Sequence, residues 1–112
     1  VNVGLQLFNE GMNSFKKALK IKPDYVEVHN NMGIAFKDQG DQEKAIKSFK
    51  QVIKINPSFY EAYNNMGIIF IEQGKQEQAI ESYIKAISLK PDYAEAFFNK
   101  GNVFKSSLCR VT

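Results

Sequence analysis

Apolar residues recur along the chain in steps of three and four: Met32 and Phe36, then Ala45, Phe49, Val52 and Ile53, mirrored by Met66, Phe70, Ala79, Tyr83, Ala86 and Ile87. Such steps gather side chains on one face of a helix, which completes a turn in 3.6 residues, whereas a half-buried strand would alternate every second residue. The pattern predicts an all-α chain. Near the N-terminus the seam Val1, Leu5, Phe8, Met12, Phe15 and Leu19 runs unbroken at spacings of 4, 3, 4, 3 and 4. It predicts one continuous helix through Gly11.

Punctuation divides the rest into equal units. Pro23, Pro57 and Pro91 are 34 residues apart, as are Gly33, Gly67 and Gly101, and EVHNNMGIAFKDQG, EAYNNMGIIFIEQG and EAFFNKGNVFKSSL align without a gap. Each unit reads as two helices. Asp24, Ser58 and Asp92 stand three residues before Glu27, Glu61 and Glu95, the spacing of a capping box, so each first helix is expected to begin after its proline. Gly40 and Gly74 can adopt the left-handed conformation that ends it. A glycine inside a helix costs about 1 kcal/mol relative to alanine. Three of them at one phase therefore imply close helix approach, with Ala45 and Ala79 as the expected opposing residues.

Segment VNVGLQLFNEG aligns with NNMGIAFKDQG, which puts Gly4 and Gly11 in register with Gly33 and Gly40 and Asn2 in register with Asn31. Nine positions separate Gly40 from Phe49 but only four separate Gly11 from Phe15, so the residues of the turn are missing. The expected organisation is one array over 1–112. Residues 1–25 form a partial repeat fused into a long helix, 26–59 and 60–93 are full repeats, and 94–112 are a half repeat and tail.

The units resemble the tetratricopeptide repeat, over nearly the whole chain. The family's first aromatic slot holds His29, Tyr63 and Phe97, its small slot Gly33, Gly67 and Gly101, and its next aromatic slot Phe36, Phe70 and Phe104. Ala45 and Ala79 fill the second-helix alanine position, and Phe15, Phe49 and Tyr83 the aromatic after it. Pro23, Pro57 and Pro91 close the units. The resemblance implies antiparallel helix pairs in a right-handed superhelical solenoid, with first helices lining a concave groove that binds protein or peptide. His29 departs from the usual aromatic and reads as a packed histidine.

By the same resemblance, ligand-facing positions include Asn30, Asn31, Ile34, Asn64, Asn65, Ile68, Phe98, Asn99 and Asn102. Asn31, Asn65 and Asn99 share one phase, and an amide side chain offers both donor and acceptor to an extended peptide backbone. This row resembles the asparagine ladder in the repeat region of O-linked N-acetylglucosamine transferase. It is unlike the basic clamps that hold a terminal carboxylate elsewhere in the family, because Asn30, Glu61, Glu95 and Asn99 stand where lysine or arginine is wanted. Ile34, Ile68 and Ile71 call for apolar side chains on the ligand.

Both ends leave apolar positions without obvious cover. Val1, Leu5, Phe8, Met12 and Phe15 at one end, and Phe97 and Phe104 at the other, suggest self-association as a homodimer or domain-swapped oligomer.

Composition narrows the alternatives. A net charge of +3 without a run of lysines argues against nucleic acid, and no apolar stretch approaches a membrane span. Cys109 and His29 are the lone residues of their types, so no zinc ligand set and no internal disulfide can form. No phosphate loop or paired nucleophile and base is present, so neither catalysis nor a cofactor is expected. The alternative is a substrate-recruiting region of a larger enzyme such as a transferase. The compartment is not encoded here, though the cytoplasm is favoured.

Overall fold

A computed structural model describes the backbone of residues 3–111 and the side chains of residues 3–105. Val1, Asn2 and the Cys109 side chain, which entered the sequence reading, lie outside the described residues. Among the described residues six helices follow in order: α1 (Val3–Ile21), α2 (Val26–Asp38), α3 (Gln42–Ile55), α4 (Tyr60–Glu72), α5 (Gln76–Leu89) and α6 (Ala94–Val111). Among the described residues no helix is long and apolar enough to cross a membrane. The chain forms two compact units, Val1–Asn56 and Pro57–Thr112.

Helix boundaries follow from backbone chemistry. Lys22 and Lys90 precede prolines, and their carbonyls accept the amides of Tyr25 (3.2 Å) and Tyr93 (3.0 Å), closing turns with proline at the second position. Asn56 and Lys90 are extended, at φ −133° and −136°, as residues before proline prefer. These turns correct the expected capping boxes. Asp24 and Ser58 are the third residues of their turns, so the helices open one position later, at Tyr25 and Phe59, without a side-chain cap. Glu27 and Glu61 still lie in the first turn, where a negative charge suits the helix dipole.

Gly40 and Gly74 carry φ of +83° and +75°. After each, two amides return to the helix: Gly40 to Lys37 (3.0 Å) and Asp41 to Phe36 (2.9 Å), and likewise Gly74 to Ile71 and Lys75 to Phe70. This is the Schellman closure. The second helices start differently, because Asp41 caps α3 by accepting the Lys44 amide at 3.2 Å, while Lys75 at the same place in α5 supplies no side-chain cap.

In the first unit α2 and α3 pair around Ala45, Phe49 and Val52, all fully buried. The residue facing Gly33 is Phe49, where Ala45 was expected: a Cβ on Gly33 would fall 2.6 Å from the ring. Helix α1 passes through Gly11 without a break and rests on α2, burying Met12 and setting Phe8 edge-on to Phe36 at 6.1 Å. Of the described seam residues Met12 is buried, Phe8, Phe15 and Leu19 are partly buried, and Leu5 is half exposed. His29 is partly buried, with its Nε2 2.9 Å from the Pro23 carbonyl. A carbonyl only accepts, so Nε2 bears the proton.

In the second unit Ala79, Tyr83 and Val103 form a core against which Ile68, Phe70 and Ile80 pack. Tyr83 repeats the role of Phe49, lying 2.4 Å from where a Gly67 Cβ would be. Gly101 meets nothing within 4 Å, and Phe97 and Phe104 beside it are about half exposed.

Candidate functional site

The site of greatest interest lies within the second unit. Helix α5 sets Tyr83 beneath α4 and α6, and the gap between those two helices stays open above the ring. The resulting cavity is about 310 Å3. Ile68, Ile71 and Val103 supply apolar walls, Tyr83, 2% exposed, forms the floor, and Glu72, Gln76, Asn99 and Asn102 complete the lining.

A buried amide ties the flanking helices together. Asn64 on α4 is 1% exposed, donates through Nδ2 to Glu95 Oε1 at 3.3 Å, and accepts through Oδ1 from Asn99 Nδ2 at 3.3 Å. Both partners sit on α6, which orients the α6 face that borders the cavity. Glu95, read from the sequence as a capping-box partner, is therefore a link between helices.

Electrostatics at the floor follow from burial and neighbouring carboxylates. Burial foremost, then the charges of Glu95 and Glu72, push the Tyr83 hydroxyl up to about 12. Tyr93 is pushed up to about 12 as well, by burial first, then Glu95, Glu61 and Tyr60, while a hydrogen bond with Asn64 pulls the other way. Tyr93 also stands edge-on to Tyr60 at 5.0 Å, and the Lys90 ammonium lies over the Tyr60 ring.

The residues expected to face a ligand divide into three groups. Ile68, Asn99 and Asn102 converge on the cavity. Asn31 and Phe98, the latter 69% exposed, are open to solvent, and Ile34 and Asn65 are half buried. Asn30 and Asn64 are buried, contrary to a surface role, and Asn30 Oδ1 has no hydrogen-bond partner among the described residues. Sequence reasoning missed Tyr83 as the floor. Its signal was present in the shared phase of Phe49 and Tyr83 opposite glycines.

Among the described residues no three histidine, cysteine, aspartate or glutamate side chains gather as a metal site. The fold and the cavity together define a helix-hairpin repeat protein with an open, mixed apolar and amide surface. The family profile described as TPR repeat matches residues 8–40, 35–73 and 67–107. The chain belongs to the tetratricopeptide repeat family, whose members are generally interaction scaffolds and not catalysts.

A comparison with curated proteins finds no match. Among solved structures, the MamA protein superposes with a TM-score of 0.81 at 26% identity, covering 92% of this chain and 56% of that one. This chain thus spans little more than half the length of that relative. The first repeat domain of Spaghetti (RPAP3), solved with the HSP90 peptide SRMEEVD, superposes with a TM-score of 0.83 at 18% identity, covering 93% and 82%. At that identity the likeness shows the fold.

Proposed function

We propose that the chain is a protein-interaction scaffold that holds an extended peptide or a partner helix against the first helices of its repeats. The observation that carries this reading is the open cavity between α4 and α6, where Ile68, Asn99 and Asn102 meet. Apolar walls accept a side chain, and amides beside them pair with a backbone whatever its sequence. Within the second unit Asn65 and Phe98 extend the contact surface, and Asn31 is the like-placed amide of the first unit, as in the asparagine ladder of O-linked N-acetylglucosamine transferase. Asn30 and Asn64 act beneath it as structural amides. That a protein of this fold has been captured with a peptide supports the class of ligand.

Panning a peptide-display library on the immobilised chain tests this. Wild type enriches binders that the Asn31→Ala, Asn65→Ala double variant loses. A library without binders, or binders held equally by the double variant, would sink the reading.

Self-association is a second reading, favoured by the exposure of Phe97 (47%), Phe98 and Phe104 (49%) along α6. A ring face of this extent on a soluble helix suits a second copy of the chain. Sedimentation velocity over a concentration series then gives a rising weight-average mass; a constant monomer mass rejects it.

A further inference from the structure

Helix α1 carries both halves of a repeat hairpin on one straight rod. At its start it keeps the phase of a first helix: Val3, Gly4 and Leu7 stand where α2 has Met32, Gly33 and Phe36. Further on it keeps the phase of a second helix, with Met12, Phe15 and Leu19 standing where α3 has Ile46, Phe49 and Ile53. In both complete hairpins these two surfaces meet, the Phe49 ring closing on Gly33 and the Tyr83 ring on Gly67, each ring sixteen positions after its glycine. In α1 the five turn residues are missing, so Phe15 follows Gly4 by only eleven positions within the same helix. At a rise of 1.5 Å per residue the two are about 16 Å apart, and a continuous helix cannot fold back to join them.

We propose that a second copy of the chain joins them: two α1 helices pair antiparallel about a two-fold axis, with Gly4 of each under the Phe15 ring of the other. Each chain thereby lends the other the first helix that its own second-helix segment lacks. A two-fold contact needs one surface that supplies both the projecting and the receiving part. Helix α1 has such a surface, because eleven residues at about 100° each come close to three full turns and bring Gly4 and Phe15 to one face. By the same count Gly4, Leu7, Gly11 and Phe15 fall within about 80° of one another. This face is open among the described residues. Leu7 is 63% exposed, at the phase where Phe36 and Phe70 are partly buried, and a Cβ on Gly11 would meet nothing within 4 Å. Met12, the residue buried beside α2, lies on the neighbouring flank, so the second copy takes a different side of the helix. Glu10, Lys16, Lys17 and Lys20 all stand about 120° or more from Gly4 around the helix, which keeps charge out of the contact. The α6 rings take no part in it.

Disulfide mapping in a Cys109→Ser background tests the pairing. A Gly4→Cys chain mixed with a Phe15→Cys chain forms a crosslinked mixed dimer on oxidation, whereas either chain alone does not. Like positions in the antiparallel pair are about 16 Å apart, and a disulfide needs Cα atoms within about 7 Å. Copying residues 41–45 between Gly11 and Met12 restores the turn, so that variant closes its own hairpin and sediments as a monomer at concentrations where the unaltered chain is a dimer. Gly4→Leu overfills the contact twice, once in each chain, and raises the dimer dissociation constant at least about tenfold. An unaltered chain that stays monomeric across a micromolar sedimentation series overturns the proposal, as does crosslinking of like with like. A dimer that survives the inserted turn but is lost in the Phe97→Ser, Phe104→Ser variant overturns it too, and places self-association on α6.

Discussion

The Tyr83 ring occupies the space that a side chain on Gly67 would need: a Cβ built there falls 2.4 Å from the ring, well inside contact distance. Gly67→Ala must displace a ring wedged in the core of the second unit, and overpacking of that kind costs about 1–3 kcal/mol. Gly101, at the same repeat phase, has open space, so Gly101→Ala gains helix propensity, about 1 kcal/mol. Thermal unfolding of the two variants should move in opposite directions. Adding Tyr83→Leu to Gly67→Ala should recover part of the loss, the coupling expected of two residues in contact.

The starts of α3 and α5 give a second contrast. Asp41 accepts the Lys44 amide, and its carboxylate sits at the positive end of the α3 dipole. Lys75 puts a positive charge at the corresponding end of α5 and supplies no cap. Lys75→Asp should raise stability by about 1 kcal/mol, and Asp41→Ala should lower it by a similar amount. A denaturation series in which Lys75→Asp is neutral or worse would contradict this account of the α5 terminus.

How far these features could be read from sequence depends on whether a residue's role is local. Pro23, Pro57, Pro91, Gly40 and Gly74 act through their own backbone angles, so their positions alone predicted the ends of the hairpins. The capping boxes were misplaced by one residue because Asp24 and Ser58 had two local uses, cap or turn, and the proline turn won. Asn30 and Asn31, like Asn64 and Asn65, are identical neighbours about 100° apart on a helix, so the pattern of residue types could not say which turns inward. Tyr83 as the cavity floor needed the placement of α4, α5 and α6 together, which is tertiary information.

Those neighbouring asparagines should separate by experiment. Asn64→Ala removes both hydrogen bonds between α4 and α6 and leaves Glu95 and Asn99 without that partner, at a cost of about 1–3 kcal/mol. Asn102→Ala touches only the exposed lining and should leave unfolding unchanged while weakening peptide binding. Equal stability losses in the two variants would show that Asn64 does not hold the helices.

Alkaline pH should destabilise the fold through Tyr83 and Tyr93. Both hydroxyls are pushed from 10.0 up to about 12 in the folded chain, by burial first and by carboxylates second. An unfolded tyrosine loses its proton near 10, so between pH 10 and 12 the folded state binds more protons than the unfolded one. Stability from these groups is therefore complete below pH 10 and is lost as pH rises toward 12. Of the chain's five tyrosines, two should ionise late in a spectrophotometric titration, together with the onset of helix loss. Glu95 contributes to both shifts, so Glu95→Gln should bring both transitions to lower pH. Five tyrosines titrating together near pH 10 with helicity intact would refute the burial of these two.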